Sequence, residues 1–145
     1  MAVNTSKVIT GGLVTGLILN VIDFLSNMFL LGDRLVAEEN AFKPGLGDAM
    51  AAMTTSQIAG YVIMNLIVGM LLIFTYAGFR PRFGPGPKTA SYVALIFFTF
   101  GLINTSGYMA MGIMSPRLWL TYGVIWLVNL LVATMAGARV YSENG

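Results

Sequence analysis

Gly12-Leu13-Val14-Thr15-Gly16-Leu17-Ile18-Leu19-Asn20-Val21-Ile22-Asp23 lies inside an apolar run, Val8–Leu31, that holds a carboxamide and a carboxylic acid near its centre. Hydrocarbon tolerates neither group well, yet the run is long enough to cross a bilayer. Its small and polar residues recur at helical spacing. Gly12, Gly16, Asn20, Asp23 and Asn27 fall within about 80° of arc at ~100° per residue. The reading is a transmembrane helix whose polar stripe faces other helices. Gly12 and Gly16 form a G-x-x-x-G, which lets a second backbone approach closely.

Three further apolar runs follow, Ser56–Ala77, Ser91–Ile113 and Leu118–Arg139, each with one asparagine near its middle: Asn65, Asn104 and Asn129. Each run also has a small-and-polar face. Tyr61, Asn65, Gly69 and Tyr76 align in the second. Gly101, Asn104, Tyr108 and Gly112 align in the third, and Trp119, Tyr122, Trp126, Asn129, Ala133 and Gly137 in the fourth. If alternate spans run in opposite directions, Asp23, Tyr61, Tyr108 and Trp126 sit one turn beyond the asparagine layer. The expected fold is all-α, a single membrane domain of four spanning helices meeting at a shared polar level.

Composition supports this class. Of 145 residues, 57% are hydrophobic and 10% charged, and the mean hydropathy is +0.78; a soluble domain carries about 25% charged residues. The chain has no His and no Cys. Usual haem ligands, thiolates for an iron–sulfur cluster, an N/S zinc site, a disulfide and Ser-His or Cys-His catalysis are therefore excluded. No cofactor is expected. The net charge of +2 is too small to argue for nucleic acid. Lys7 precedes an apolar run longer than a signal-peptide core, and no A-x-A site directly follows it, so the first run is expected to remain as a span.

The connections carry the charge. The first, Gly32–Thr55, is acidic and is expected to hold a short helix over Asp33–Phe42, closed by Lys43-Pro44-Gly45. The second, Gly78–Ala90, is basic through Arg80, Arg82 and Lys88, and its prolines and glycines predict an irregular stiff turn. The third is tight, with Ser115 as an N-cap and Pro116 at the first helical position. Lys7, Arg80, Arg82, Lys88 and Arg139 fall on one side and Arg34, Lys43 and Arg117 on the other. The positive-inside rule then places both termini and the Pro-rich turn in the cytoplasm.

The stretch Arg80-Pro81-Arg82-Phe83-Gly84-Pro85-Gly86-Pro87-Lys88-Thr89-Ala90, after an inward-running span, resembles a turn found in small uncharacterised bacterial integral membrane proteins with four spans. The resemblance implies a topology and brings no activity, substrate or site residue.

Three functional expectations compete. The first is a non-enzymatic protein of the cell membrane, a bacterial inner membrane, that self-associates or joins a larger membrane complex. Its partners are then the lipid bilayer and further protein chains. The asparagine layer serves on that reading to join helices, through bonds of roughly 0.6–2 kcal/mol each. The second is a small proton or cation transporter or channel using Asp23, for which no Lys or Arg lies at the same depth. A carboxylate there costs about 2.5–3.5 kcal/mol even on insertion scales, so the group should sit as the neutral acid or face water or another subunit. The third is Cu(I) transport by the thioethers of Met50, Met53, Met111 and Met114; the competing role of Met is as a flexible filler of apolar helices.

Overall fold

The computed structural model describes residues 3–142. The fold is all-helical, 87% helix, with no strand among the described residues, and four helices are long and apolar enough to cross a membrane.

Helix α1 (Thr5–Ser26) starts where Asn4 accepts a hydrogen bond from the Lys7 N–H at 3.1 Å. It does not stop at Leu31. The chain widens into one π-helical turn, Asn27–Leu31, and continues as α2 (Gly32–Phe42). The resulting rod is 38 residues long, about 57 Å at 1.5 Å per residue and nearly twice the hydrocarbon thickness. The short helix expected after the first span thus exists, fused to it: hydropathy drops at Gly32, but Arg34, Leu35, Ala37, Glu38, Glu39 and Ala41 beyond it are good helix formers that carry the helix on. Gly32 is needed at the wide turn, because a Cβ there would meet the Asn27 carbonyl oxygen at 2.6 Å. The rod ends at Lys43, and Gly45, at φ 82°, leads into α3 (Leu46–Ala51).

Thr54 and Gln57 form a reciprocal capping box at the start of α4 (Thr55–Phe83). This helix corrects the reading of the basic turn. It runs on through Arg80-Pro81-Arg82, so Pro81 lies inside it, and only residues 84–86 are non-helical. Pro81 has no N–H to give the Ala77 carbonyl, so the helix forgoes one i→i−4 bond in its last turn, close enough to its end that the chain still completes the turn to Phe83. The reversal is made by Gly84 and Gly86, at φ 81° and 117°, values that favour glycine. Pro87 then opens α5 (Pro87–Ala110) at a position that suits proline.

Helical spacing puts Gly112 on the packing stripe of the third span, and the structure corrects this. Gly112 lies beyond Ala110 at φ 76°, with nothing near its Cβ position. Its N–H donates to the Met109 carbonyl and that of Ile113 to Tyr108, so it terminates α5 and packs against no helix. Ser115 caps α6 (Pro116–Val140), accepting from the Leu118 N–H at 3.2 Å.

α1 packs against both α4 and α6, while α5 rests on α6 and less extensively on α4. Glycines set these approaches. A Cβ on Gly12 would meet the Met70 Cα at 2.6 Å and one on Gly16 the Leu66 Cα at 2.6 Å; Gly69 faces the backbone of both glycines. On the neighbouring face of α1, a Cβ on Gly11 would meet the Gly137 carbonyl oxygen at 2.8 Å, and Gly137 abuts Thr15. Ala133, fully buried, continues the α6 seam. Gly101 receives the Trp126 ring.

Glu38 reaches Ser115 at one end of the bundle, the loop end, and Asn4 meets Tyr141 at the other, the terminal end. Buried residues of α5 are confined to Thr89, Ala90, Val93 and Ala94, near the terminal end. Toward the loop end, much of its surface is exposed.

Candidate functional site at the centre of the bundle

Asp23 is the hub of an interhelical network. Its Oδ1 accepts from the Asn129 Nδ2 of α6 at 2.7 Å, and its Oδ2 from the Asn65 Nδ2 of α4 at 2.9 Å. The Asn65 amide also donates to the Asn20 Oδ1 at 3.1 Å, and the Asn20 amide to the Val62 carbonyl at 3.2 Å. Asn129 donates in addition to the Leu19 carbonyl at 3.3 Å. Helical spacing explains the convergence: Asn20 and Asp23 are three residues apart on α1, so both point into the seam with α4, and Asp23 also reaches α6. Among the described residues, no Lys or Arg pairs with Asp23. The carboxylate is held by amide dipoles alone.

Asn104 does not join. It is exposed, and its amide donates to its own helix, to the Phe100 carbonyl at 2.8 Å. The expected four-membered layer is therefore a three-membered one plus Asp23. The reason lies in α5, which rests on α6 through its buried terminal-end residues, the Trp126–Gly101 contact and the Trp119 Nε1–H donated to the Thr105 hydroxyl at 3.2 Å, and leaves its Asn104 face outside. Asn27 is exposed as well; it donates to the Asp23 main-chain carbonyl at 3.0 Å and not to the carboxylate. Trp126, expected as a donor in this level, instead lays its ring on Gly101 and packs on Phe98 at 5.8 Å.

Tyr61 and Tyr108 make no hydrogen bond to this network and are 59% and 52% exposed. Tyr122, half-buried on α6, lies within electrostatic range of Asp23, Tyr61 and Tyr108. Tyr108 also borders a hollow of about 420 Å³ with Asn104, Thr105, Gly107 and Met111. Sequence spacing includes Tyr122 in its stripe without giving it a place beside the acid.

One acceptor at the centre is unsatisfied. Asn129 is fully buried, and its Oδ1 has no hydrogen-bond partner. Such groups carry a cost of about 1–3 kcal/mol, so the position calls for a donor.

Two clusters outside the centre have no signature in the sequence. Glu38 clamps the start of α6, accepting from the Ser115 N–H and hydroxyl at 2.6 Å each. At the terminal end, the Arg80 guanidinium lies 5.9 Å from the Tyr76 ring centroid and 5.2 Å from that of Tyr141. Tyr76 and Tyr141 are edge-to-face at 6.1 Å. Tyr141 is thus a buried core residue, although its position near a span end reads as an interfacial aromatic. Arg82 and Lys88 remain exposed in the last turn of α4 and the first of α5. Met50, Met53 and Met111 are exposed at the loop end, and Met114 is half-buried there, on separate short segments.

No protein-family model, curated protein or solved structure matches this chain.

Proposed function

We propose that the chain is a non-enzymatic multi-pass protein of the bacterial inner membrane that works by associating with copies of itself or with a larger membrane complex. The carrying observation is the stripe on α5 that has no helix against it. Phe100 and Ile103 are 72% and 67% exposed, Asn104 is exposed beside them, and nothing lies within 4 Å of a Cβ on Gly107. Hydrocarbon offers an amide no hydrogen-bond partner. A second copy does, because a carboxamide both donates and accepts and two of them satisfy each other across a two-fold axis. Gly107 provides the room for close approach. Orientation follows the charge bias, with the terminal end in the cytoplasm. Mass measurement in native lipid discs tests this reading. A dimer or higher oligomer that Asn104→Leu shifts toward monomer supports it; a strict monomer without a co-purifying chain contradicts it.

A second reading is favoured by Asp23. Its half-buried carboxyl, held by two amides and paired with no basic side chain, suits a proton or cation carrier. Proteoliposome flux that is unchanged by Asp23→Asn contradicts that role.

A further inference from the structure

Positive charge is scarce at the loop end, where the basic residues are Arg34, Lys43 and Arg117. Two of the three, carried by different helices, nevertheless line one hollow. It has a volume of about 310 Å³ and is bordered by Arg34 and Glu38 of α2 and by Ser115, Arg117 and Leu118 at the start of α6. Glu38 follows Arg34 by four residues, the spacing at which helical ion pairs form. Its carboxylate instead accepts from the Ser115 N–H and hydroxyl, at 2.6 Å each. Neither guanidinium makes a hydrogen bond or an ion pair among the described residues. With two cations against a single carboxylate that is already engaged, the hollow keeps one positive charge in excess.

Depth supplies a second pointer. Asp23 and Asn129 share a level, because they are bonded at 2.7 Å, and that level lies near the middle of both spans. Arg34 stands eleven residues beyond Asp23 along the α1–α2 rod, and Arg117 twelve residues before Asn129 along α6. At about 1.5 Å per residue, both are rooted roughly 16–18 Å from that level. The hydrocarbon reaches about 15 Å from the bilayer centre and the headgroup region about 20–22 Å. The two arginines therefore belong to the depth of lipid phosphates. A phosphodiester carries one negative charge, and its oxygens match the paired N–H groups of a guanidinium.

We infer that the hollow between α2 and α6 binds the phosphate of a phospholipid headgroup, held by Arg34 and Arg117. Glu38 is a positioning residue: by clamping Ser115 it fixes α2 against α6 and so sets the two guanidiniums around one space. The inference rests on the reading of the chain as a multi-pass membrane protein and is independent of self-association through α5.

The test is native mass spectrometry of the full chain in a non-ionic detergent, titrated with dioctanoyl phosphatidylglycerol, with dioctanoylglycerol, which lacks the phosphate, and with inorganic phosphate. One phosphatidylglycerol per chain should be retained in preference to dioctanoylglycerol. Arg34→Gln and Arg117→Gln, at exposed positions that leave the core intact, should each weaken its retention by about threefold to tenfold, the loss of one good hydrogen bond. Lysine at either position keeps the charge without the fork and should weaken it less than glutamine does. Arg82→Gln with Lys88→Gln, at the opposite end, should leave that molecule bound. Equal retention of dioctanoylglycerol, indifference to both loop-end glutamine variants, or an equal loss in the Arg82→Gln, Lys88→Gln pair overturns the inference. Inorganic phosphate bound in place of phosphatidylglycerol, with the same dependence on both arginines, assigns the hollow to a soluble anion and overturns the lipid assignment. Flotation with phosphatidylglycerol vesicles separates the inference from the reading beneath it. Wild type and both loop-end variants should float alike, since the apolar spans hold them in the bilayer. A wild-type chain that stays in the soluble fraction contradicts the membrane reading and the lipid site with it.

Discussion

Asn104 and Asn129 are the same residue type at the middle of neighbouring spans, and their surroundings give them opposite energetic roles. Asn129 makes two bonds to α1, to Asp23 and to the Leu19 carbonyl. At roughly 0.6–2 kcal/mol per interhelical bond, Asn129→Leu should cost about 1–4 kcal/mol of fold stability, measured by denaturant unfolding in detergent micelles. Asn104 bonds only within its own helix, so Asn104→Leu should change monomer stability by less than about 0.5 kcal/mol. A double-mutant cycle between Asp23→Ala and Asn65→Ala should show coupling of about 0.6–1.7 kcal/mol; additivity would mean that the 2.9 Å bond between them does not operate in the folded protein. The polar stripes were legible in the sequence because i, i+3 and i+4 spacing alone fixes which residues share a face. Which stripes meet is set by helix packing, and α5's departure from α4 leaves no mark in its own residue order.

Helix length shows the same division between local and tertiary information. Hydropathy marks where a span becomes polar, and on that basis a break is expected after Leu31 and after Ala77. The backbone ignores both marks: α1 continues through the π turn into α2, and α4 runs to Phe83. Glycines at positive φ mark the reversals instead: Gly84 ends α4 and Gly112 follows α5, while Gly45 and Gly86 lead into α3 and α5. The G-x-x-x-G of α1 was legible as a close-approach surface, and Gly69 is its partner. The equally tight contact of Gly11 and Thr15 with Gly137 was not, because it lies on the adjoining face, outside the polar stripe. Gly16→Leu should therefore separate α1 from α4, costing at least about 3 kcal/mol, the upper end for overpacked cores, or preventing folding; a Gly16→Leu variant with unchanged thermal unfolding would contradict the seam. Glu38→Ala should release α2 from the start of α6, raising amide hydrogen exchange from Ser115 to Trp119 while leaving that of Leu130–Thr134 unchanged.

At the scale of the whole molecule, three helices are joined by the Asp23 network and the fourth, α5, packs on α6 outside it. α5 is held by its terminal-end residues, by the Trp126–Gly101 contact and by the Trp119 Nε1–H bond to Thr105, and its Asn104 stripe faces outward. Charge is biased along the same axis, with Lys7, Arg80, Arg82, Lys88 and Arg139 toward the terminal end, and Asp33, Glu38, Glu39 and Asp48 mixed with Arg34, Lys43 and Arg117 toward the loop end. A bundle so arranged has a distinct open side, and self-association through it is the central claim. The chain has no Cys, so single-cysteine oxidation in native membranes reports on that side without background. Ile103→Cys on the α5 stripe should form a disulfide-linked dimer in high yield, while Leu17→Cys, 62% exposed on α1, should not. Equal cross-linking at both positions, or none at Ile103→Cys, would contradict the account.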